Sequence, residues 1–275
     1  MLLKYLINMD RKTKIIATVG PSLSSESKIK KIIDAGANVL RINFSHGTLE
    51  DHENVISWAR KSNKQVAIMQ DIQGPKIRTG ISSENTFLEK SKNVTLTNIE
   101  TESNNDIVFI NYENLLRDVN VDDRVFIDDG QIVLKVVEKE NDKLEALILI
   151  GGELRDNQGV AFPDSNLSVS AITEKDIEHL KFGSEHDVDF VAVSFVRNAS
   201  DINLVKEIIP KDVKVIAKIE LKTALDNIDE ILDVADGVMV ARGDLGVQLP
   251  LDQVPFVQKQ ILDAANKRGK ISITA

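Results

Sequence analysis

The sequence contains no cysteine, which excludes disulfides, thiolate metal sites and cysteine nucleophiles. It also lacks any apolar run near the ~20 residues that a membrane-spanning helix needs. The apolar opening segment, Met1–Met9, is too short for a secretory signal and has no small-residue cleavage site. The net charge of −9 argues against a nucleic-acid partner, because the negatively charged phosphate backbone binds basic surfaces. These absences predict a soluble cytoplasmic protein with neither a membrane nor a nucleic acid as partner, although a local basic pocket would still suit a small phosphorylated ligand.

Two common nucleotide-binding motifs are missing as well. No glycine-rich fingerprint follows the first strand-like segment, which argues against a Rossmann domain. There is no Walker A loop, so any nucleotide must be held in another way. At 275 residues the chain can form one large domain or two small ones, with enough core for an enzyme.

Strand-like and helix-like segments alternate along most of the chain. The apolar runs that predict buried strands are Lys14–Val19, Val39–Phe44, Val66–Asp71, Phe190–Val196, Val213–Ile219, Gly237–Ala241 and Ile271–Ala275. The amphipathic segments that predict helices are Glu26–Ala35, Glu50–Ser62, Glu174–Ser184, Ala199–Ile209, Ala224–Val234 and Leu251–Arg268. This alternation predicts an α/β fold of parallel βαβ units, but by itself it does not distinguish an open sheet from a closed barrel.

The region from about Gly80 to Asn157 breaks this rhythm and alternates like antiparallel strands. Its strand-like segments are Asn93–Thr97, Ile107–Asn111 and Arg124–Asp128. Its predicted hairpin turns are Asp128–Gly130 and Glu140–Lys143. The pattern predicts a small antiparallel β-barrel domain, inserted after the third strand, where it is well placed to act as a lid. The expected division is therefore a first part at 1–79, an inserted domain at 80–157 and a second part at 158–275.

Polar residues gather at the carboxyl ends of the predicted strands: Arg41, Asn43, Ser45, Asp71, Ser194, Arg197, Lys218, Glu220, Arg242 and Asp244. Positions two apart along a strand point to the same side, so Lys218 should lie beside Glu220, and Arg242 beside Asp244. Active sites of (β/α)8 barrels lie at these strand ends. The pattern therefore favours a TIM barrel, here incomplete because the chain stops in the seventh strand.

The residue types narrow the chemistry. Two carboxylates, Glu220 and Asp244, suit Mg²⁺, which keeps several waters and shares substrate oxygens. Arg41, Arg78 and Lys218 supply positive charge for a phosphate or carboxylate. Phosphoryl transfer requires mainly positioning and charge neutralisation, and this set provides both.

Five segments carry a family resemblance: Arg11–Ser22, Gly36–Gly47, Asp71–Gly80, Ile216–Glu220 and Met239–Gly246. Together they resemble the pyruvate kinase family, and the resemblance runs from about Arg11 to the end of the chain. The resemblance implies a glycolytic phosphotransferase that converts phosphoenolpyruvate and ADP to pyruvate and ATP. It also implies a homotetramer for the full-length protein.

The resemblance assigns roles to individual residues. It implies that Arg41 binds the phosphate of phosphoenolpyruvate and that Glu220 and Asp244 hold Mg²⁺ or Mn²⁺. Lys218 is expected to stabilise the transferring phosphoryl group and the enolate. The backbone at Gly243 and Asp244 is expected to contact the substrate carboxylate.

A second set concerns the nucleotide and a monovalent cation. The resemblance implies that Arg78 meets the nucleotide phosphates and that a potassium site is formed by Asn43, Ser45, Asp71 and the carbonyl of Ile72. Lys76 stands where potassium-requiring members carry glutamate, so its ammonium is expected to replace K⁺. We therefore expect activity without added K⁺, although Thr79 is more typical of the potassium-requiring group.

Other departures concern the substrate and nucleotide loops. Gln158 replaces a lysine linked to nucleotide binding in the family, and Leu221–Ala224 replaces its usual Asn-x-Glu-Gly. The chain also ends at Ala275, before a threonine, an eighth strand and a C-terminal domain that the family contains. A barrel without them has unpaired strand edges, so we expect this chain alone to be inactive or poorly folded.

Two other functions remain open on the sequence. One is a metal-dependent aldolase or lyase that stabilises a pyruvate enolate on a similar barrel, which would need neither Arg41 nor Arg78. The other is a non-catalytic truncated fragment. Pyruvate formation that depends on ADP distinguishes the kinase from the lyase.

Overall fold

A computed structural model describes residues 12–62 and 64–275. The interpretation of Met1–Met9 and the first residue of the Arg11–Ser22 motif lie outside the described residues. Within them, no helix is long and apolar enough to cross a membrane. The described chain forms two compact units. The first comprises residues 12–62, 64–73, 174–192 and 205–215, and the second comprises residues 74–173, 193–204 and 216–275.

The strands and helices follow the predicted alternation closely. The described strands are β1 (Ile16–Val19), β2 (Val39–Asn43), β3 (Ala67–Ile72), β4 (Phe87–Leu88), β5 (Asn93–Thr97), β6 (Ile107–Phe109), β7 (Arg124–Ile127), β8 (Ile132–Lys139), β9 (Leu144–Ile150), β10 (Gly152–Glu153), β11 (Val160–Ala161), β12 (Phe190–Val193), β13 (Lys214–Ile219), β14 (Gly237–Val240) and β15 (Ile271–Thr274). The α-helices are α1 (Glu26–Asp34), α2 (Leu49–Arg60), α3 (Leu115–Asp118), α4 (Glu174–Glu185), α5 (Ala199–Ile208), α6 (Lys222–Asp226), α7 (Ile228–Val234), α8 (Arg242–Gln248) and α9 (Val254–Lys267).

Parallel pairing is confirmed in each unit. In the first, β1 pairs with β2 and β2 with β3, with Val39 opposite both Ile16 and Ala67. In the second, β13 pairs with β14 and β14 with β15, with Gly237 opposite both Ile216 and Ile271. β14 and most of β13 are buried and mainly apolar, as expected for parallel strands that helices cover on both faces, whereas β15 is half polar and largely exposed. The α/β class follows directly, whereas closure into a TIM barrel stays a prediction.

The β-rich part of the second unit forms a six-stranded sheet in the order β11-β7-β8-β9-β5-β6, with a separate pair of β10 and β4. The expected hairpins are confirmed, since β7 pairs antiparallel with β8 and β8 with β9. One pair differs from the antiparallel expectation, because β5 and β6 run parallel. Long apolar side chains such as Leu96, Val125 and Leu134 fill one hydrophobic core here.

Two predicted elements were wrong. The segment Ala224–Val234 was expected to be one helix, but it contains α6 and α7, which meet at Asn227 (φ −108°, ψ 16°). The sequence predicts a strand end that reaches Asp244, but residues 242–248 form the helix α8. Arg242 and Asp244 are therefore not on one side of a strand, since residues two apart on a helix diverge.

Helix α2 shows how sequence sets one of these boundaries. The hydroxyl of Thr48 accepts a hydrogen bond from the backbone N–H of Asp51, and the Asp51 carboxylate accepts one from the N–H of Thr48. This reciprocal capping box sets the start of α2 at Leu49, one residue before the predicted Glu50. Ser25 precedes α1, but its side chain makes no capping hydrogen bond.

A buried cluster packs beside β3 in the first unit. The Phe44 ring lies 4.1 Å from the His52 ring and 5.1 Å from the His179 ring, centroid to centroid. Gln70 of β3 donates from Nε2 to the carbonyl oxygen of His179 at 2.6 Å. Its amide lies against Gly183 of α4 so closely that a Cβ at that glycine would overlap it. Helix α4 and strand β3 therefore pack in direct contact at Gly183 and Gln70.

Candidate active site

A buried ion pair stands at the carboxyl end of β13. Lys218 Nζ lies 2.9 Å from Glu220 Oε1, and it also donates to Ser194 Oγ at 2.7 Å. The two side chains are only 11% and 2% exposed. Since Lys218 and Glu220 are two positions apart on an extended backbone, they lie on the same side, as predicted.

Glu220 is held by the main chain as well. Its Oε2 accepts a hydrogen bond from the backbone N–H of Phe195 at 2.7 Å. Phe195 has φ +54°, an uncommon conformation for a bulky residue, and one that turns the chain just after β12. Gly74, with φ +67°, permits this close packing, because a Cβ there would lie 3.3 Å from the Phe195 ring and from the Ser194 carbonyl oxygen.

Electrostatics couple Glu220 to a second carboxylate. Burial raises the pKa of Glu220, the Lys218 ammonium opposes that rise, and the negative charge of Asp244 adds to it. Asp244 lies in the first turn of α8 and is exposed. The negative charges of Glu220 and Asp244 therefore lie close enough to interact. Asp244, however, belongs to a helix and not to the predicted strand end.

The donor set fits a magnesium ion of the kind that keeps water ligands. Among residues 12–62 and 64–275, no three His, Cys, Asp or Glu side chains gather as a complete metal cage. Mg²⁺ is commonly held by one or two carboxylates together with substrate oxygens, and Glu220 and Asp244 are ligands of that type.

A cavity of about 1060 Å³, its open mouth included, adjoins these carboxylates in the second unit. Glu220, Asp244, Lys76, Arg197 and Lys222 are among the residues that line it. The polar lining is accompanied by apolar side chains from the six-stranded sheet. This cavity offers a small anionic ligand both cationic groups and a paired carboxylate site.

Arg41 is fixed in the first unit. Its Nε donates to Asp71 Oδ2 at 2.6 Å, and its NH1 donates to Thr18 Oγ1 at 2.9 Å. Arg41 is 23% exposed whereas Asp71 is 2% exposed, so the carboxylate anchors a partly accessible guanidinium. This arrangement suits the expected role of Arg41 in binding an anion.

The expected potassium ligands also lie in the first unit. Asn43 Oδ1 accepts a hydrogen bond from the Ser45 backbone N–H at 3.0 Å, which places Ser45 in a turn beyond β2 and not on the strand itself. The backbone carbonyl of Asp71 accepts from the Phe44 N–H at 3.0 Å. Asp71 and Ile72 end β3. The set offers oxygen ligands of the type that a monovalent cation takes.

The remaining predicted residues lie in the second unit. Arg78 donates from NH1 to the carbonyl oxygen of Asn157 at 2.7 Å. Gln158 is buried, and its Oε1 accepts from the Arg155 N–H at 2.9 Å. Gly243 faces open space, since a Cβ there would meet nothing within 4 Å.

Sequence reasoning missed one contributor to the site. The N–H of Phe195 binds Glu220 only because the residue adopts positive φ, and side-chain identity does not reveal that conformation. The sequence predicts Ser194 as a polar residue at a strand end, but it does not predict the hydrogen bond that Ser194 accepts from Lys218. The apolar stretch before it gave no sign of a turn at that point.

Comparison with known proteins agrees with this arrangement. A family model described as "Pyruvate kinase, barrel domain" matches residues 10–275. Proteins named pyruvate kinase from Staphylococcus aureus strains MRSA252, USA300 and COL are each 44% identical over 275 residues, covering 96% of this chain and 47% of the relative. The chain thus spans about half the length of the curated relatives it matches. It belongs to the pyruvate kinase family.

Proposed function

We propose that the chain contributes the phosphoryl-transfer site of a pyruvate kinase, which converts phosphoenolpyruvate and ADP to pyruvate and ATP in glycolysis. The observation that carries this proposal is the buried Lys218–Glu220 pair with Asp244 as its neighbouring carboxylate. A buried cation beside carboxylates provides the preorganised charge that phosphoryl transfer requires. Family membership supplies the independent support.

The proposed reaction breaks the bond between phosphorus and the enol oxygen of phosphoenolpyruvate. A terminal phosphate oxygen of ADP forms the new bond to phosphorus, and the enolate left behind takes a proton at carbon to become pyruvate. In this proposal Lys218 stabilises the negative charge of the phosphoryl group and of the enolate. Its contacts with Ser194 and Glu220 hold the ammonium in one position.

The cofactor of this proposal is Mg²⁺, with Mn²⁺ as a substitute. Glu220 and Asp244 would hold it. When bound, such an ion neutralises phosphate charge and orients substrate oxygens. The hydrogen bond from the Phe195 N–H would hold Glu220 in one orientation for this role.

The other binding roles follow the family pattern. Arg41, anchored by Asp71, is proposed to bind the phosphate of phosphoenolpyruvate. Arg78 is proposed to meet the nucleotide phosphates, and the backbone at Gly243 and Asp244 the substrate carboxylate. The open space at Gly243 is compatible with a ligand at that point.

The monovalent cation requirement is a separate proposal. Asn43, Ser45, Asp71 and Ile72 would hold K⁺ in potassium-requiring relatives, and Lys76 is proposed to make the added ion unnecessary. Rates in potassium-free buffer that match those with K⁺ are the expected result. A collapse of the rate without K⁺ would contradict it.

The cellular setting is also proposed from family membership. A glycolytic kinase with soluble substrates works in the cytoplasm, and the full-length protein is proposed to be a homotetramer. Neither a membrane nor a nucleic acid is expected as a partner.

The first experiment uses a chimera in which this chain is followed by the remaining half of a Staphylococcus aureus pyruvate kinase. We expect pyruvate to form only when phosphoenolpyruvate, ADP and Mg²⁺ are all present. Pyruvate formed at the same rate without ADP would favour the lyase. Lys218→Met should lower kcat by at least ~100-fold, the effect of losing one preorganised charge donor. Lys214→Met, an exposed position on the same strand, is the matched control.

A second readout does not depend on turnover. Mn²⁺ binding to the chimera is followed by electron paramagnetic resonance under conditions in which circular dichroism shows each variant to be folded. It should weaken in Glu220→Gln and in Asp244→Asn but persist in Lys218→Met. Unchanged binding in both carboxylate variants would remove them from the metal site.

A further inference from the structure

The segment at residues 162–170, which we call the strap, is fastened to the six-stranded sheet by its side chains. Leu167 and Val169 pack against the hydrophobic core of that part of the chain. Asp164 accepts two hydrogen bonds from the Arg124 guanidinium, at 2.7 and 2.9 Å. This bidentate pairing fixes direction as well as distance.

Asp118 provides a second fastening. Its Oδ2 accepts hydrogen bonds from both the N–H and the hydroxyl of Ser168, each at 2.7 Å, and from the Tyr112 hydroxyl. The Asp118 side chain is only 7% exposed. Burial alone would raise the pKa of Asp118, but these donors outweigh it and hold the pKa far below its usual value. The carboxylate therefore stays charged while it holds the strap.

Arg197 forms hydrogen bonds with the backbone of the same strap. Its NH1 donates to the carbonyl oxygens of Leu167 at 2.9 Å and Val169 at 2.6 Å. The guanidinium is oriented by Asp201, with Nε and NH2 at 3.2 and 3.1 Å from the two carboxylate oxygens. The Arg197 and Asp201 side chains are 17% and 5% exposed, so this contact is largely shielded from water. A lysine cannot reproduce it, because only the planar fork reaches four acceptors at once.

The strap and Arg197 line the same cavity as the two carboxylates. Leu167, Val169 and Arg197 appear in its lining together with Glu220 and Asp244. We propose that Arg197 is a positioning residue, which fixes the strap as a wall of the Glu220–Asp244 cavity and so couples the six-stranded sheet to that cavity. The inference rests on the proposed function only in its kinetic consequence.

The contact itself is tested by hydrogen exchange on the chimera, using peptides that cover 162–170. Arg197→Lys keeps the charge beside Asp201 but loses the fork, so strap amides should exchange about tenfold faster or more, as expected when a hydrogen bond to a charged group is lost. Arg155→Lys is the matched control, since Arg155 pairs at 2.7 Å with Asp128, which lies outside the strap. Equal strap exchange in Arg197→Lys and in the parent would overturn the proposal. If Arg197→Lys fails to fold, Asp201→Asn loosens the guanidinium without removing it.

The kinetic consequence is tested in the chimera. Arg197→Lys should raise KM for phosphoenolpyruvate or ADP about tenfold, because the strap would occupy its position as the cavity wall in a smaller fraction of the molecules. The kcat should change by less than about threefold. Millimolar ethylguanidinium should restore slow exchange and low KM to Arg197→Ala, whereas a merely unstable fold would not recover. Faster exchange of the strap amides with an unchanged KM would refute the positioning role of Arg197. It would still support the contact between Arg197 and the strap. An inactive parent chimera with the expected exchange result would instead count against the proposed function alone.

Discussion

Replacing Lys218 with methionine should destabilise the second unit strongly, because it leaves the Glu220 carboxylate buried without its cation. Glu220 is 2% exposed, and Lys218 Nζ lies 2.9 Å from it. Removing one partner of such a pair costs about 3–5 kcal/mol, since the remaining charge keeps its desolvation penalty. With an unfolding slope of ~3 kcal/mol/M, the urea midpoint should fall by about 1–1.7 M.

The double variant Lys218→Met/Glu220→Gln isolates the cause. A neutral glutamine can still accept the Phe195 N–H, so more than half of the lost stability should return. The difference between single and double variant should also shrink in acid. The folded-state pKa of Glu220 is raised above its usual 4.5, so the folded state binds the proton more tightly and the cost of the buried charge fades as the pH falls. Equal urea midpoints for the single and double variants at neutral pH would refute the reasoning.

Three further predictions concern other parts of the chain. Burial lowers the pKa values of His52 and His179 below 6.5, so the free energy of unfolding should fall as the pH drops below about 6.5. In His52→Gln this fall should be less steep, and identical pH profiles of the two proteins by urea titration would count against the reasoning. Gly237→Ala places a Cβ 2.6 Å from the Ile271 Cβ, so calorimetry should show a loss of about 1–3 kcal/mol, and an unchanged melting temperature would contradict the packing. Thr48→Ala should cost about 1 kcal/mol in the same assay, whereas Thr48→Ser should retain most of the stability; equal losses would exclude the cap as the cause.

Strand positions could be predicted well because their physical signal is local. The alternation of side chains on an extended backbone is enough to place Lys218 beside Glu220, and the structure confirms it at 2.9 Å. The Asp128–Gly130 turn was equally clear, since Asp128 and Asp129 both adopt positive φ between β7 and β8. In each case neighbours in sequence decide the geometry.

Other features depend on contacts that sequence proximity does not reveal. Asn227 separates α6 from α7, and its side-chain amide donates to the Arg197 carbonyl oxygen at 2.9 Å. Helix α8 begins directly after β14 without a capping side chain, so no start signal precedes Asp244. The parallel pairing of β5 and β6 likewise requires a connection that alternation alone does not specify.

The fit between Gln70 and Gly183 makes these two positions interdependent in evolution. Because a methyl group at 183 would overlap the Gln70 amide, alanine there requires this buried amide to shift away from His179 or residue 70 to be shortened. Shortening Gln70 first leaves the His179 carbonyl without the amide donor shown here and opens a void in the core. Each single step therefore passes through a less stable intermediate, whereas the paired change can be neutral. Homologous chains should carry substitutions at 70 and 183 together, and a library that varies one alone should recover mostly the parental residue.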